Sequence, residues 1–190
     1  MKNFKQIKNY PIHDLYSTLN IMIDKDILSW KNGNQICLNT TPDNPDDPLF
    51  GVGSLDLDWK NIYKVDGKTI VPPRAVPLRE DEFTDLCSQF KGTVFEEIYN
   101  FLQTKYIVGR VRLMRSTSGA CMSWHYDYSP RLHYPIKTQE GCFMVIDDEI
   151  KHMPENTWWW TDTTKYHTAF NSSKDTRIHL VVCIVERNNE

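Results

Sequence analysis

Long apolar runs are absent from this 190-residue sequence, and its first residues carry lysines but no continuous hydrophobic stretch. We therefore expect neither a transmembrane helix nor a signal peptide. An excess of positive charge is also absent, because 22 Lys and Arg stand against 25 Asp and Glu, a net charge of −3. This balance provides no basic patch, so we expect no nucleic-acid or membrane partner.

Paired cysteine motifs are absent as well. The five cysteines are odd in number, widely spaced and never C-x-x-C: they are Cys37, Cys87, Cys121, Cys142 and Cys183. This spacing does not favour a zinc site, and we expect reduced thiols that mostly fill the core of a cytoplasmic protein. The length is sufficient for one domain with a sizeable core, so we predict a single domain over residues 1–190.

The N-terminal part, residues 1–105, mixes helical signals with loops. The spacing of Leu15, Leu19, Met22 and Ile23 predicts a short amphipathic helix. The capping-box pattern T-x-x-E at residues 93–96 predicts a second helix, and a further helix is expected just before it, over residues 80–89.

Residues 40–80 are rich in Asp, Asn, Gly and Pro. They predict mostly irregular backbone, with a brief strand over residues 35–39 before them and another around residues 69–71. Long structured loops often shape a binding mouth, and we expect this segment to support the substrate mouth.

From residue 106 onward, short β-prone runs alternate with turn residues. The predicted strands cover residues 106–116, 122–128, 131–138, 141–147, 149–152, 157–161, 165–171 and 177–186. Short strands of this number, after a helical N-terminal part, predict a mainly β (α+β) fold. We expect a cupin-like jelly roll with its core at residues 106–186 and with helices packed outside.

His125 and Asp127 lie one residue apart on a predicted strand, so their side chains share a face, roughly 6–7 Å apart. His167 follows on a neighbouring predicted strand and would close three corners of an octahedron. This set matches the 2-His-1-carboxylate triad of non-haem Fe(II) oxygenases, which leaves metal positions open for a co-substrate and O₂. H-x-D pairs also occur by chance, and Asp127 alone would fit a turn before Ser129 and Pro130.

Cationic side chains accompany the triad. Arg131 and His133 share a face of the third predicted strand, and Arg177 opens the eighth, which is otherwise apolar. Burying such groups without partners is costly, and a metal with an anionic co-substrate would satisfy them together. Arg is suited to binding a carboxylate bidentately. The alternative is structural: Arg177 would pair with Asp175 or Glu186, and the R-x-H pair would serve packing.

The segments VRLMRSTSGACMSWHYDYSPRLHYPI and WWWTDTTKYHTAFNSSKDTRIHLVV resemble the aspartyl/asparaginyl β-hydroxylase branch of the Fe(II)/2-oxoglutarate-dependent oxygenases. The resemblance covers roughly residues 106–186, and GVGSLDLDW upstream extends it. It implies a double-stranded β-helix and the cofactors Fe(II), 2-oxoglutarate and O₂. By position it implies iron ligands at His125, Asp127 and His167, a partner for the distal carboxylate of 2-oxoglutarate at Arg177, and residues near its other carboxylate at Arg131 and His133. Some members of this branch lack the Asp of H-x-D, whereas Asp127 is present here.

The implied activity is a dioxygenase that hydroxylates an Asp, Asn or Pro side chain in a protein or peptide, or a free amino acid. Two other classes fit a jelly roll: a metal-binding cupin with other chemistry, which would not need Arg177, and a non-catalytic binding module. Trp158, Trp159 and Trp160 predict barrel packing, with Trp159 on the opposite face and toward the site. Trp124 fits either packing or the substrate pocket.

Overall fold

Antiparallel strands dominate the computed structural model, which describes residues 2–59 and 61–187. The strands are β1 (Phe4–Ile7), β2 (Gln35–Cys37), β3 (Asn39–Thr40), β4 (Tyr63–Val65), β5 (Lys68–Ile70), β6 (Asp85–Leu86), β7 (Tyr106–Ser116), β8 (Arg131–Lys137), β9 (Cys142–Ile146), β10 (Glu149–Lys151), β11 (Trp158–Thr161), β12 (His167–Asn171) and β13 (Arg177–Arg187). The α-helices are α1 (Leu15–Asp24) and α2 (Val94–Gln103), and single 3₁₀ turns cover Glu80–Glu82 and Ser88–Phe90.

Two sheets form a barrel. The large sheet has the strand order β1–β11–β8–β13–β7–β2, and the small sheet has the order β10–β9–β12. Paired strands are antiparallel throughout both sheets. Apolar side chains from both sheets meet in one cluster, formed by Phe4, Met144, Ile146, Met153, Trp159 and Ala169. This arrangement is the double-stranded β-helix, so the predicted fold is confirmed.

The two edge strands of the large sheet, β1 and β2, come from the N-terminal part of the chain. Seven of the eight predicted C-terminal strands are confirmed within a few residues, as are the predicted strands near residues 35–39 and 69–71. β4 and β5 form a hairpin whose turn residues, Asp66 and Gly67, both have positive φ. Positive φ at both central residues is the geometry that matches the twist of a two-residue hairpin.

The helices cover the outer face of the large sheet. Leu15, Leu19 and Met22 are buried on one side of α1, which confirms the predicted amphipathic helix. At its N-terminus the Asp14 carboxylate accepts a hydrogen bond from the Ser17 backbone N–H at 3.0 Å. This capping satisfies a backbone donor that the first turn leaves unpaired.

α2 confirms the helix predicted from the T-x-x-E pattern. Thr93 accepts the Phe95 backbone N–H at 3.2 Å, as an N-cap should. The Glu96 carboxylate accepts from the backbone N–H of Gly92 at 2.6 Å, one residue earlier than in the standard capping box. Both caps therefore act on the turn that enters α2, and its apolar side packs on β7.

The helix predicted over residues 80–89 is wrong. This segment contains a 3₁₀ turn, strand β6 paired with β3, and a second 3₁₀ turn. Phe83 is fully buried, and the Glu80 carboxylate binds arginine side chains of the large sheet. Because a short isolated helix is marginal in water, these long-range contacts decide the backbone instead.

The strand predicted over residues 122–128 is also wrong. The chain here runs beside β12 but makes only two isolated bridges with it, Cys121 with Phe170 just before the segment and His125 with His167 within it. Between the two bridges the chain advances four residues, from Cys121 to His125, whereas β12 covers only three, from His167 to Phe170. The extra residue interrupts the ladder as in a β-bulge. His125 and Asp127 consequently lie on irregular backbone at the border of the small sheet.

The five cysteines are free thiols, and four of them are buried while Cys121 is exposed. This agrees with the prediction that they mostly fill the core. Both α-helices fall short of the length and apolarity that crossing a bilayer requires, and the described ranges contain no other candidate.

Candidate active site

Three predicted ligands meet between the two sheets. The candidate ligand atoms of His125, Asp127 and His167 all lie within 4.8 Å of one another. The bridge between His125 and His167 exchanges two backbone hydrogen bonds, of 3.1 and 2.8 Å, which brings their rings to a centroid distance of 4.2 Å. An oxygen of Asp127 lies 3.6 Å from Nε2 of His167. The structure therefore assembles two imidazoles and one carboxylate around a common point.

The backbone orients both imidazole rings in the same way. Nδ1 of His125 lies 2.7 Å from the Ser123 carbonyl oxygen, and Nδ1 of His167 lies 2.9 Å from that of Lys165. A carbonyl oxygen only accepts, so each Nδ1 carries the hydrogen and donates it. Burial lowers the pKa of His167, which favours the neutral ring. A neutral ring that donates through Nδ1 directs the Nε2 lone pair toward the shared point, as metal-binding histidines do.

Arg131 holds the third candidate ligand. Its Nε donates to one oxygen of Asp127 at 3.1 Å, and its Nη2 lies 3.0 Å from the other oxygen. Burial alone would raise the pKa of Asp127, but the charge and hydrogen bonds of Arg131 lower it below its ordinary value. Each carboxylate oxygen has two lone pairs, so this fork leaves one on each oxygen for a metal.

Glu80 links the triad to a second arginine. Its carboxylate binds Arg110 at 2.9 Å and Arg131 at 3.4 Å. Burial alone would raise the pKa of Glu80, yet the charge and hydrogen bonds of Arg110, with the charge of Arg131, lower it to about 2. Glu80 is therefore ionised under ordinary conditions, and it neutralises part of a dense group of buried cations.

A second group of buried polar atoms has no partner among the described residues. Nε of Arg177 and Nε2 of both His133 and His179 make no hydrogen bond. The predicted alternative partners of Arg177, Asp175 and Glu186, form no ion pair with it. The two histidines contact each other through Nδ1 at 3.4 Å. Burial, followed by the charge of Arg177, lowers the pKa of His133 to about 3, so the ring is neutral. Two neutral rings joined Nδ1 to Nδ1 hold one hydrogen between those atoms, so only one of the two Nε2 atoms carries a hydrogen. Arg177 and His133 line the cavity, where the guanidinium is available to an anion.

An open cavity of about 1240 Å³ connects these groups, and all six predicted site residues line it. The irregular segment supplies one wall through Gly53, Leu55 and Trp59, as expected for a mouth. Trp159 is buried in the apolar cluster between the sheets rather than in the cavity lining, so its predicted direction toward the site is only partly correct. Trp124 is half exposed and outside the lining.

The sequence patterns did not single out six charged residues of the cavity lining: the more exposed Asp56, Arg79 and Asp81, and the ion-pair network and its neighbour, Glu80, Arg110 and Arg112. Arg110 and Arg112 occupy alternate positions of a predicted strand, as Arg131 and His133 do. That R-x-R alternation is the sequence signal that could have identified Arg110 and Arg112 as residues of the cavity. Glu80 offered none, because its partners lie 30 and 51 residues away along the chain.

The fold and the site define a jelly-roll protein with a candidate metal centre between its two sheets. The family model of aspartyl/asparaginyl beta-hydroxylases matches residues 54–187, more than half of the chain. The chain therefore belongs to the aspartyl/asparaginyl beta-hydroxylase family.

Individual relatives agree with this placement. The chain is 34% identical, over 77 residues, to an L-proline cis-4-hydroxylase of Rhizobium meliloti (strain 1021); the match covers 37% of this chain and 28% of that protein. Thus the chain matches little more than a quarter of the length of this relative. A crystal structure of an oxidoreductase of the 2OG-Fe(II) oxygenase family from Burkholderia pseudomallei is 13% identical, with a TM-score of 0.52 over 98% of this chain and 86% of the other. That likeness shows the shared fold.

Proposed function

We propose that this chain is an Fe(II)- and 2-oxoglutarate-dependent dioxygenase that acts as a hydroxylase. The observation that carries the proposal is the joint presence of a 2-His-1-carboxylate set and an unpaired buried arginine in one cavity. A metal centre alone would need only the two histidines and the carboxylate. An anionic co-substrate that also binds the metal needs the unpaired arginine as well.

His125, Asp127 and His167 are the metal ligands and catalytic residues in this proposal. The donor set fits Fe(II), because two Nε2 lone pairs and one carboxylate converge while each Nδ1 is held by a backbone carbonyl. Bound Fe(II) would supply the oxidation chemistry with O₂. The chain's own part is to orient these three ligands on one side and to leave the cavity side open to other ligands.

Arg177, Arg131 and His133 are the co-substrate residues in this proposal. Arg177 offers a planar guanidinium to the distal carboxylate of 2-oxoglutarate, and Nε2 of His133 is free beside it. Arg131 uses its Nε, Nη1 and part of its Nη2 donors on Asp127, Glu80 and Ser129. One Nη2 hydrogen remains, and it can reach a carboxylate oxygen close to the metal.

The substrate in this proposal is an Asp, Asn or Pro side chain in a protein or peptide, or a free amino acid. The relative that hydroxylates L-proline supports an amino-acid or proline substrate. We further propose that residues 1–190 act as one domain, that its partners are 2-oxoglutarate and this substrate, without nucleic acid or membrane, and that it works in the cytoplasm. The net charge of −3 and the free thiols support the last two points.

The decisive experiment is anaerobic reconstitution with Fe(II) and 2-oxoglutarate, followed by O₂ and measurement of succinate. We expect wild type to form succinate and His125→Ala to lose at least about a thousandfold of that rate, because the metal loses a ligand. His13→Ala is the matched control, since His13 lies outside the cavity lining. Wild-type protein that binds metal but forms no succinate would contradict the proposal and favour a cupin with other chemistry. Failure to bind metal at micromolar concentration would favour a non-catalytic module.

A further inference from the structure

A second buried guanidinium in the cavity has no anionic partner. Arg112 on β7 is only 7% exposed, and it lines the cavity floor. Its Nη1 donates to Oε1 of Gln35 at 3.1 Å, while its Nε makes no hydrogen bond. Within the described residues Arg112 forms no ion pair. Burial, followed by the like charge of Arg110, lowers the pKa of Arg112, and the more distant charge of Glu80 only partly opposes this, as expected for a buried cation that forms no ion pair.

The proposed cofactors do not supply the missing charge. Glu80 neutralises Arg110, and Asp127 neutralises Arg131, which leaves Arg112 and Arg177 unpaired. Fe(II) and the 2-oxoglutarate dianion cancel each other in net charge, so loading leaves the excess of two positive charges, those of Arg112 and Arg177, unchanged. If the distal carboxylate of 2-oxoglutarate pairs with Arg177, Arg112 still has no counter-charge in the loaded protein. A buried charge without a partner is costly, so the cavity has room for one further anionic group.

Arg112 and Arg177 occupy separate positions on the sheet. Arg112 pairs with Val181 of β13, whereas Arg177 pairs with Ser116 at the far end of β7. Four residues of strand separate the two positions, on the order of 13 Å along the sheet. Side chains in strands stand roughly perpendicular to the sheet, so the two guanidiniums serve different parts of the cavity. The anion at Arg112 is therefore distinct from the one at Arg177.

The chain also fixes the orientation of Arg112. Oε1 of Gln35 accepts from Arg112 and from the backbone N–H of Gly53, at 2.9 Å. Gly53 belongs to the irregular segment that forms the mouth of the cavity. Gln35 thus ties the guanidinium to the irregular segment that lines the same cavity as the metal ligands.

We propose that Arg112, oriented by Gln35, binds the free carboxylate of an amino-acid substrate. The inference rests on the proposed function and names its substrate class: free amino acids rather than residues inside a polypeptide. A guanidinium binds a carboxylate through two parallel hydrogen bonds, which orients the substrate as well as holding it. An Asn or Pro residue within a polypeptide offers no carboxylate and would leave Arg112 unpaired. An aspartyl residue there could pair only through its side chain, and binding of the capped form would then reveal it.

The test measures binding directly. Protein loaded with Mn(II), which replaces Fe(II) without oxidation chemistry, and with 2-oxoglutarate is titrated in a calorimeter with each of the twenty free L-amino acids. The tightest binder is then compared with its carboxamide and with its N-acetyl, N-methylamide form. We expect the carboxamide to bind at least about thirtyfold more weakly, because it lacks the carboxylate.

Variants assign the effect to Arg112. Arg112→Gln is expected to lower the affinity for the amino acid by about thirtyfold or more, while the affinity for 2-oxoglutarate changes by less than about threefold. Arg115→Gln is the matched control, on the same strand but on the opposite face, against Trp30. It should change neither affinity. Arg112→Lys keeps the charge but loses the fork, and an intermediate affinity is expected.

Two results would overturn the inference. One is that no free amino acid binds, or that only the capped form does, which would assign the cavity to a polypeptide. The other is equal binding of the amino acid and its carboxamide. The carboxamide comparison uses wild-type protein, so it holds even if Arg112→Gln fails to fold. Formation of succinate by the Fe(II) protein tests the proposed function separately, and it can succeed while this inference fails.

Discussion

The two faces of the large sheet differ sharply in chemistry although the same strands build both. The outer face is apolar and packs against α1 and α2, through residues that include Leu132, Tyr134, Ile136, Leu180 and Val182. The inner face lines the cavity with charged and polar residues, Arg112, Arg131, His133 and Arg177, and it is apolar at the β1–β11 edge, where Phe4 and Trp159 lie. Alternation along each strand separates the two sets. The comparison teaches that stability and ligand binding are assigned to opposite faces.

The energetic consequences also differ. Apolar side chains on the outer face gain free energy when they leave water, in proportion to the area buried. Cations on the inner face lose hydration, and only part of that loss is recovered by Glu80 and Asp127. The inner face is therefore a region of lower stability that anionic ligands can complete. Variants of single residues test this contrast.

The largest expected effect is at the inner face, in Arg177→Met. We expect the affinity for 2-oxoglutarate to fall about a thousandfold, because its carboxylate loses a buried charged partner. The ligand-free protein should become more stable by about 1 kcal/mol, since an unpaired buried charge is removed. Calorimetry on Mn(II)-loaded protein and urea unfolding of the metal-free protein measure the two quantities. Unchanged affinity would show that Arg177 does not bind the co-substrate.

The outer face should respond in the opposite way, in Leu180→Ala. Leu180 is fully buried, so we expect the free energy of unfolding to fall by about 3 to 4 kcal/mol through lost transfer energy and a cavity. The affinity for 2-oxoglutarate, measured well below the unfolding temperature, should change less than about threefold. A large loss of affinity for 2-oxoglutarate at temperatures where the variant is folded would contradict the separate roles of the two faces.

Glu80→Gln tests how far the inner face is internally neutralised. The pKa of Glu80 is lowered from 4.5 to about 2, chiefly by Arg110 acting against burial. A lowered folded-state pKa means that the ionised form stabilises the fold. This contribution, about 3 kcal/mol, is fully present above pH 4.5 and is lost as the pH falls toward 2. Urea unfolding should show a larger free energy of unfolding for wild type than for Glu80→Gln at pH 7, and this difference should narrow below pH 4.5. A difference independent of pH would contradict the ion-pair origin.

The smallest effect is expected outside both faces, at the cap of α2. Thr93→Ala removes the hydroxyl that accepts the Phe95 N–H, and thermal or urea unfolding should report a loss of about 1 kcal/mol. Thr69→Ala, at an exposed position of the β4–β5 hairpin, is the control and should change stability by less than about 0.5 kcal/mol. Equal losses in the two variants would argue against a capping role.

Much of the barrel could be predicted because local alternation identifies strands and their faces. On β8 the apolar residues Leu132, Tyr134 and Ile136 are buried on the outer side, and Arg131 and His133 face the cavity. The predicted helix over residues 80–89 was wrong for the complementary reason. Its backbone is decided by pairing with β3 and by ion pairs to distant strands, which local propensity does not contain.

The proposed metal ligands could be selected from the sequence, whereas their geometry and the charged residues around them could not. His125, Asp127 and His167 were selected by residue type and spacing, and the structure brings them together. The predicted strand that would carry His125 and Asp127 does not form, because the ladder with β12 contains an extra residue. The ligands converge nonetheless, since the bridge to His167 fixes His125 through two backbone hydrogen bonds.

By itself, the sequence determined the jelly-roll class, the helix α2 with its cap, and the residue types available for a metal and an anion. These features follow from interactions between residues that are close in sequence, and the periodicity and spacing of the residues reveal such interactions. Only the tertiary structure decided which charges neutralise each other. Glu80 meets Arg110 and Arg131 across 30 and 51 residues of chain, and this pairing leaves Arg112 and Arg177 without an anion. Charge pairing depends on distances in space, because the free energy of a buried ion is set by what lies within a few ångströms of it.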